Sequence, residues 1–148
     1  MTLSPQVLGL LVGGLVPALC YGAAGVLAKV STNAGMSVGG HLICIGVMVS
    51  VVGVVFQGVL PGALPSRGAI ASSSLYGILW GLGTGFVALG LIQYKTPLAK
   101  LVPLYNLNTL IAVFLALIIF LEWQNVDVIK LVLGAIFVIV GGVLVSIA

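Results

Sequence analysis

Charged residues interrupt this sequence so seldom that long apolar runs are its dominant feature, and those runs dictate what it can fold into. A helix crossing roughly 30 Å of hydrocarbon needs about 20 residues. The polar and Pro/Gly breaks cut the chain into about five segments of that length. The first runs from Val7 to Val30 and ends at Lys29 and the Ser31-Thr32-Asn33-Ala34-Gly35 turn. The second runs from Met36 to Leu60 and stops at Pro61-Gly62 and Pro65-Ser66-Arg67-Gly68. The third covers Ala69 to Tyr94, and the fourth covers Pro97 to Leu121. After the polar, aromatic-bearing stretch Glu122-Trp123-Gln124-Asn125-Val126-Asp127 comes a fifth, Val128 to Ile147. The expected fold is an all-α integral membrane bundle of about five helices, a single transmembrane domain over residues 1–148 with no room for a soluble one.

Composition supports lipid as the main solvent. Hydrophobic residues make up 61% of the chain and charged ones 5%, with mean hydropathy +1.39, where an ordinary soluble domain carries roughly 25% charged residues. A transmembrane β-barrel would need roughly ten-residue alternating segments, and these runs do not alternate. The N-terminus lacks a positive region, and its apolar run is too long for a signal-peptide core, so a retained first span is expected. Net charge is +3, from Lys29, Arg67, Lys95, Lys100 and Lys130 against Glu122 and Asp127. The basic residues stand singly, which argues against a nucleic-acid partner. Cys20 and Cys44 lie in apolar stretches without metal-ligand spacing and are expected as buried, reduced thiols.

The 21 glycines fit such a bundle, because small residues let helix backbones approach closely in lipid. Gly77, Gly81 and Gly85 form a ridge on the third span, and Gly9 with Gly13 a shorter one on the first. They serve either packing within the chain or contact with a second one. Alternating the loops between sides puts Lys29, Lys95 and Lys100 on one face, and Arg67, Lys130 and the N-terminal amine on the other. So even a split leaves orientation weakly specified. An odd number of spans with balanced charge also meets the requirement of an antiparallel dimer.

Most charges sit near helix ends, where long side chains reach the interface. Lys130 is spaced to pair with Asp127 at (i, i+3). The densest polar cluster, Lys100, Pro103, Tyr105, Asn106, Asn108 and Thr109, opens the fourth span. Pro103 removes a backbone donor and is expected to kink that helix. The carboxamides either line a polar cavity or hydrogen-bond to neighbouring helices. Pro17 is expected to kink the first span by the same backbone effect. His41 is either a packing residue or a proton relay, and Tyr21 and Trp80 are either packing aromatics or cavity walls. No Ser/His/Asp set, paired carboxylates, metal-ligand spacing or phosphate loop occurs, so neither an enzyme nor a bound cofactor or metal is expected.

Read together, Tyr76-Gly77, Leu89-Gly90, Tyr94-Lys95-Thr96-Pro97-Leu98-Ala99, Val102-Pro103-Leu104-Tyr105, Leu121-Glu122-Trp123, Leu133-Gly134-Ala135 and Gly141-Gly142-Val143 follow an ordered pattern. It resembles the EamA-type repeat of the drug/metabolite transporter superfamily. Ala18-Leu19-Cys20-Tyr21-Gly22 with Lys29 is similar to that repeat's first span, with Tyr in place of Trp. Two departures stand out: Leu121 replaces the usual Gly before Glu122, and the chain carries one repeat where common members carry two.

The resemblance implies a multi-pass protein, in a bacterial inner membrane, that moves small organic metabolites by alternating access between inverted repeats. A single repeat then needs a second copy of itself, or a separately encoded half. Tyr21, Trp80, Tyr105, Asn106, Asn108 and Thr109 would line the cavity, with His41 as proton-coupling candidate. The absence of a mid-span carboxylate points to a neutral or anionic solute. The competing expectation is a non-transporting membrane subunit that docks through its glycine ridges. An antiparallel pair requires both insertions of the chain. Reporter fusions at each terminus should find both, and a single orientation would exclude it.

Overall fold

The computed structural model describes residues 4–124 and 126–148. It contains five helices long and apolar enough to cross a membrane: α1 Pro5–Asn33, α2 Val38–Val59, α3 Arg67–Ile92, α4 Leu98–Ile119 and α5 Val128–Ile147. Among the described residues there is no strand. The boundaries lie within a few residues of those set by the hydropathy breaks, because the same side chains that end an apolar run also cap a helix. Ser4, Ser37, Ser66 and Asp127 each accept a backbone N–H from three residues ahead, at 3.1 to 3.3 Å. Pro97 opens α4 without a side-chain cap, its carbonyl taking the N–H of Lys100 and Leu101.

Chain reversals are equally local. After α1, Gly35 adopts φ +91°, and the N–H groups of Gly35 and Met36 return to the carbonyls of Thr32 and Ser31. This is a glycine-terminated helix end, and the positive φ is what requires glycine there. Two other reversals place a side chain where glycine is favoured: Lys95 at φ 52° and Leu121 at φ 56°. Leu121 follows α4 and leads into a short 3-10 turn, Glu122–Gln124.

The chain divides into two compact units, Met1–Lys95 and Thr96–Ala148. In the first, α3 packs against both α1 and α2. A side chain at Gly85 would meet Leu42 Cδ1 at 3.2 Å and Val38 Cγ1 at 3.9 Å, so the missing Cβ permits the α2–α3 approach. The buried residues gather at this end: Thr32 near the end of α1, His41 near the start of α2, and Ala88 and Leu91 in the last turns of α3. Gly77 and Gly81, farther down the ridge, have open space where a side chain would stand.

In the second unit the first half of α4 lies along α5. Gly142 allows that contact, since a Cβ there would stand 3.4 Å from the Pro103 carbonyl oxygen and 3.6 Å from Leu107 Cδ2. Elsewhere most large apolar side chains are exposed, among them Leu10, Val54, Phe86, Ile129 and Phe137. Cys20 and Cys44 are free thiols but exposed, not buried as the apolar context suggested, because that context is itself uncovered. Soluble monomers seldom expose contiguous apolar patches beyond a few hundred Å², so these faces are consistent with a multi-pass membrane protein.

Two substitutions check this packing. Gly85→Leu would force a branched side chain into Leu42 and should destabilise the chain by about 1 to 3 kcal/mol. Leu121→Gly relieves a left-handed backbone at an exposed residue and should stabilise it by up to about 1 kcal/mol. Thermal unfolding in detergent followed by circular dichroism reads both.

Candidate functional site

The polar cluster of the second unit sits on a helix that is interrupted. α4 runs as one helix from Leu98 to Tyr105, turns at Asn106 and Leu107, and resumes from Asn108 to Ile119. Since α4 has 22 residues, its middle falls between Asn108 and Thr109. Pro103 brings no N–H to the carbonyl of Ala99, which weakens the last turn of the first half. The disruption is completed three residues later, where the Thr109 side chain competes for the Asn106 carbonyl.

The backbone bonding changes character through this joint. Leu107, Thr109 and Leu110 donate to carbonyls three residues back, those of Leu104, Asn106 and Leu107, as in a 3-10 turn. The Thr109 hydroxyl also donates to the Asn106 carbonyl, at 2.8 Å. The Leu107 N–H passes over the Pro103 carbonyl, four residues back, for that of Leu104. Asn106, Asn108 and Thr109 are exposed, and Tyr105 is half-buried. The joint thus gathers four of the expected residues, Tyr105, Asn106, Asn108 and Thr109, into one stretch of uncharged donors and acceptors.

Tyr21 on α1 and Trp80 on α3 belong to the first unit, and both are exposed. The helical distortion expected at Pro17 lies in the turn before it, where Leu11–Leu15 forms a wide π-turn and the Val16 N–H reaches back to the Leu11 carbonyl. A proline ring clashes with the carbonyl four residues earlier, here that of Gly13, and widening the turn relieves the clash.

The first unit has its own polar pair. His41, only 7% exposed, lies with Nδ1 3.0 Å from Ser31 Oγ. The same hydroxyl lies 3.1 Å from the Ala28 carbonyl, so Ser31 Oγ bridges the end of its own helix and the imidazole. Thr32 bonds back to Ala28 and Lys29. The pair ties the end of α1 to the start of α2. Ser31 was not among the residues expected to matter, since its partner lies ten residues away across a turn; the Ser-Thr pair closing an apolar run was the available signal.

Among the described residues no group of three or more His, Cys, Asp or Glu side chains forms a metal site. Two shallow grooves, one lined by Cys44, Ile45, Met48, Val49 and Val52, the other by Pro65, Ala69, Ile70, Ser73 and Ser74, enclose no charged group. At the start of α5, Lys130 Nζ stands 3.0 Å from Asp127 Oδ2. That side-chain bond, followed by the Lys130 backbone N–H, holds the Asp127 carboxyl below its ordinary value.

Two consequences can be measured. Ser31→Ala leaves the buried His41 Nδ1 without its hydrogen-bond partner and should cost about 1 to 3 kcal/mol, read as a lower unfolding midpoint in detergent. A carboxylate with a lowered folded-state pKa stabilises its helix end above the ordinary Asp range and loses that contribution as pH falls through the lowered value. Hydrogen exchange of the Val128 to Lys130 amides should therefore show extra opening in acid, and Asp127→Asn should abolish that pH dependence.

Comparison with protein-family models, curated proteins and solved structures finds no match to this chain.

Proposed function

We propose that this chain is a half-size membrane transporter of small organic metabolites, working by alternating access as a dimer of inverted repeats. The observation that carries the reading is the interruption of α4 close to its midpoint. If α4 crosses a bilayer, this irregular turn and two carboxamides lie near the centre of the hydrocarbon. Irregular backbone is tolerated there only when buried in protein or lining a polar cavity. Discontinuous helices of this kind build the midplane sites of many transporters.

The two carboxylates of the chain, Glu122 and Asp127, stand outside the five long helices. A neutral or anionic solute therefore suits the joint better than an organic cation. In this reading Tyr105, Asn106, Asn108 and Thr109 supply the polar contacts. Five crossings would leave the two termini on opposite sides, and the even split of basic residues suits a partner inserted the other way up. A separately encoded half would serve the same purpose, and a bacterial inner membrane is the proposed location.

The second reading is a non-transporting membrane subunit, favoured by the open space at Gly77 and Gly81. One experiment separates the two. The purified chain is reconstituted in liposomes, offered a mixture of small neutral and anionic metabolites, and uptake is followed by mass spectrometry. The Asn106→Leu/Asn108→Leu variant should keep its oligomeric state and lose uptake by about tenfold or more, since each lost hydrogen bond is worth about 1 kcal/mol. A wild-type chain that moves no solute, with a variant that loses its partner, would replace transport by docking.

A further inference from the structure

We infer that, in a bilayer, the side of the chain bearing Lys29, Lys95 and Lys100 binds anionic phospholipid headgroups. The inference rests on the five crossings of the proposed function and not on transport, so it holds equally for a non-transporting subunit. Sidedness follows from the parity of the crossings alone: α1 and α3 end on the side where α4 begins. Lys29 lies about one turn before the end of α1, Lys95 in the connection between α3 and α4, and Lys100 in the first turn of α4. Arg67 at the start of α3, Glu122 and Asp127 between α4 and α5, and Lys130 in the first turn of α5 belong to the other side.

Basic side chains, which govern insertion, therefore divide three to two. A headgroup responds to net charge, and by that measure the sides differ far more. Both acidic residues of the chain stand on the side of Arg67 and Lys130 and match those two in number, whereas the three lysines opposite share their side with no acidic side chain. Local pairing sharpens the contrast. Lys130 Nζ is held 3.0 Å from Asp127 Oδ2, while Lys29, Lys95 and Lys100 have no carboxylate partner among the described residues.

Each lysine also sits at a depth from which it reaches a headgroup. Lys29 and Lys100 are half-buried near the ends of membrane-length helices, where the alkyl stem lies along apolar surface and the ammonium extends to the interface. Lys95 is exposed, and beside it the exposed Tyr94 carries the amphipathic ring enriched at that level. A compact soluble anion would need these ammonium groups to converge on one point. A leaflet of phosphates needs them only on one side, and a lipid with no cation of its own gains most from them.

Native mass spectrometry of the purified chain in detergent, titrated with phosphatidylglycerol or with phosphatidylcholine of the same acyl chains, tests this. Phosphatidylglycerol should bind about tenfold or more tighter, and the preference should shrink as ammonium acetate is raised. Lys29→Gln, Lys95→Gln and Lys100→Gln should each weaken it by up to about fivefold, the equivalent of about 1 kcal/mol per charge at an anionic surface. The triple variant should bind the two lipids alike, and Arg67→Gln/Lys130→Gln should keep the preference. Circular dichroism confirms that each variant is folded. Equal binding of the two lipids by the wild-type chain, a preference lost equally in Arg67→Gln/Lys130→Gln, or displacement of the lipid by an equal concentration of glycerol phosphate overturns the inference. Lipid preference without solute uptake in liposomes would keep it and remove the transporter; uptake without lipid preference would do the reverse.

Discussion

Closure of backbone hydrogen bonds is the interaction on which this structure depends. With so few charged or polar side chains available, the main chain has to satisfy itself, and helices do so within one segment. The serine and aspartate caps, the glycine-terminated end of α1 and the carbonyl of Pro97 each complete the accounting at a helix terminus. Against that background the joint in α4 stands out, because its backbone bonds shorten to three-residue steps inside a long apolar helix and not at its end.

Tertiary packing contributes through a few close approaches. In the first unit the glycine at position 85 admits Leu42, and the polar pair of Ser31 and His41 closes the same end of the three-helix group. In the second, Gly142 rests against the Pro103 carbonyl, so the residue that weakens α4 is also the one α5 is built to meet. A helix broken at this place remains anchored on one side of the break, and its other half makes far fewer contacts with α5. Such an arrangement gives a joint one fixed and one free arm.

The legible part of this fold was the part set by local chemistry. Apolar runs and their polar ends predicted five helices to within a few residues, and the Asp127–Lys130 spacing predicted the ion pair that forms. The cluster from Tyr105 to Thr109 was visible as polar residues out of place, although Pro103 pointed to a kink and the break lies at Asn106 and Leu107, where the Thr109 hydroxyl bond adds to the lost donor. What stayed hidden depended on contacts distant in sequence or on the backbone alone. The bond between Ser31 and His41 crosses a reversal, the exposure of Cys20 and Cys44 depends on which faces other helices cover, and the left-handed conformation of Leu121 contradicts its residue type.

The wide turn at Leu11–Leu15 has a meaning in the grammar of insertions and deletions. A π-turn is an α-helix carrying one surplus residue, so removing Gly13 or Gly14 would restore a regular helix there. Because the wide turn takes up the surplus residue locally, the segments on either side would keep their facing. Pro5–Leu10 packs mainly on the turn itself. The opening of α1 is therefore a place where the chain can shed one residue without disturbing the α1–α3 contacts.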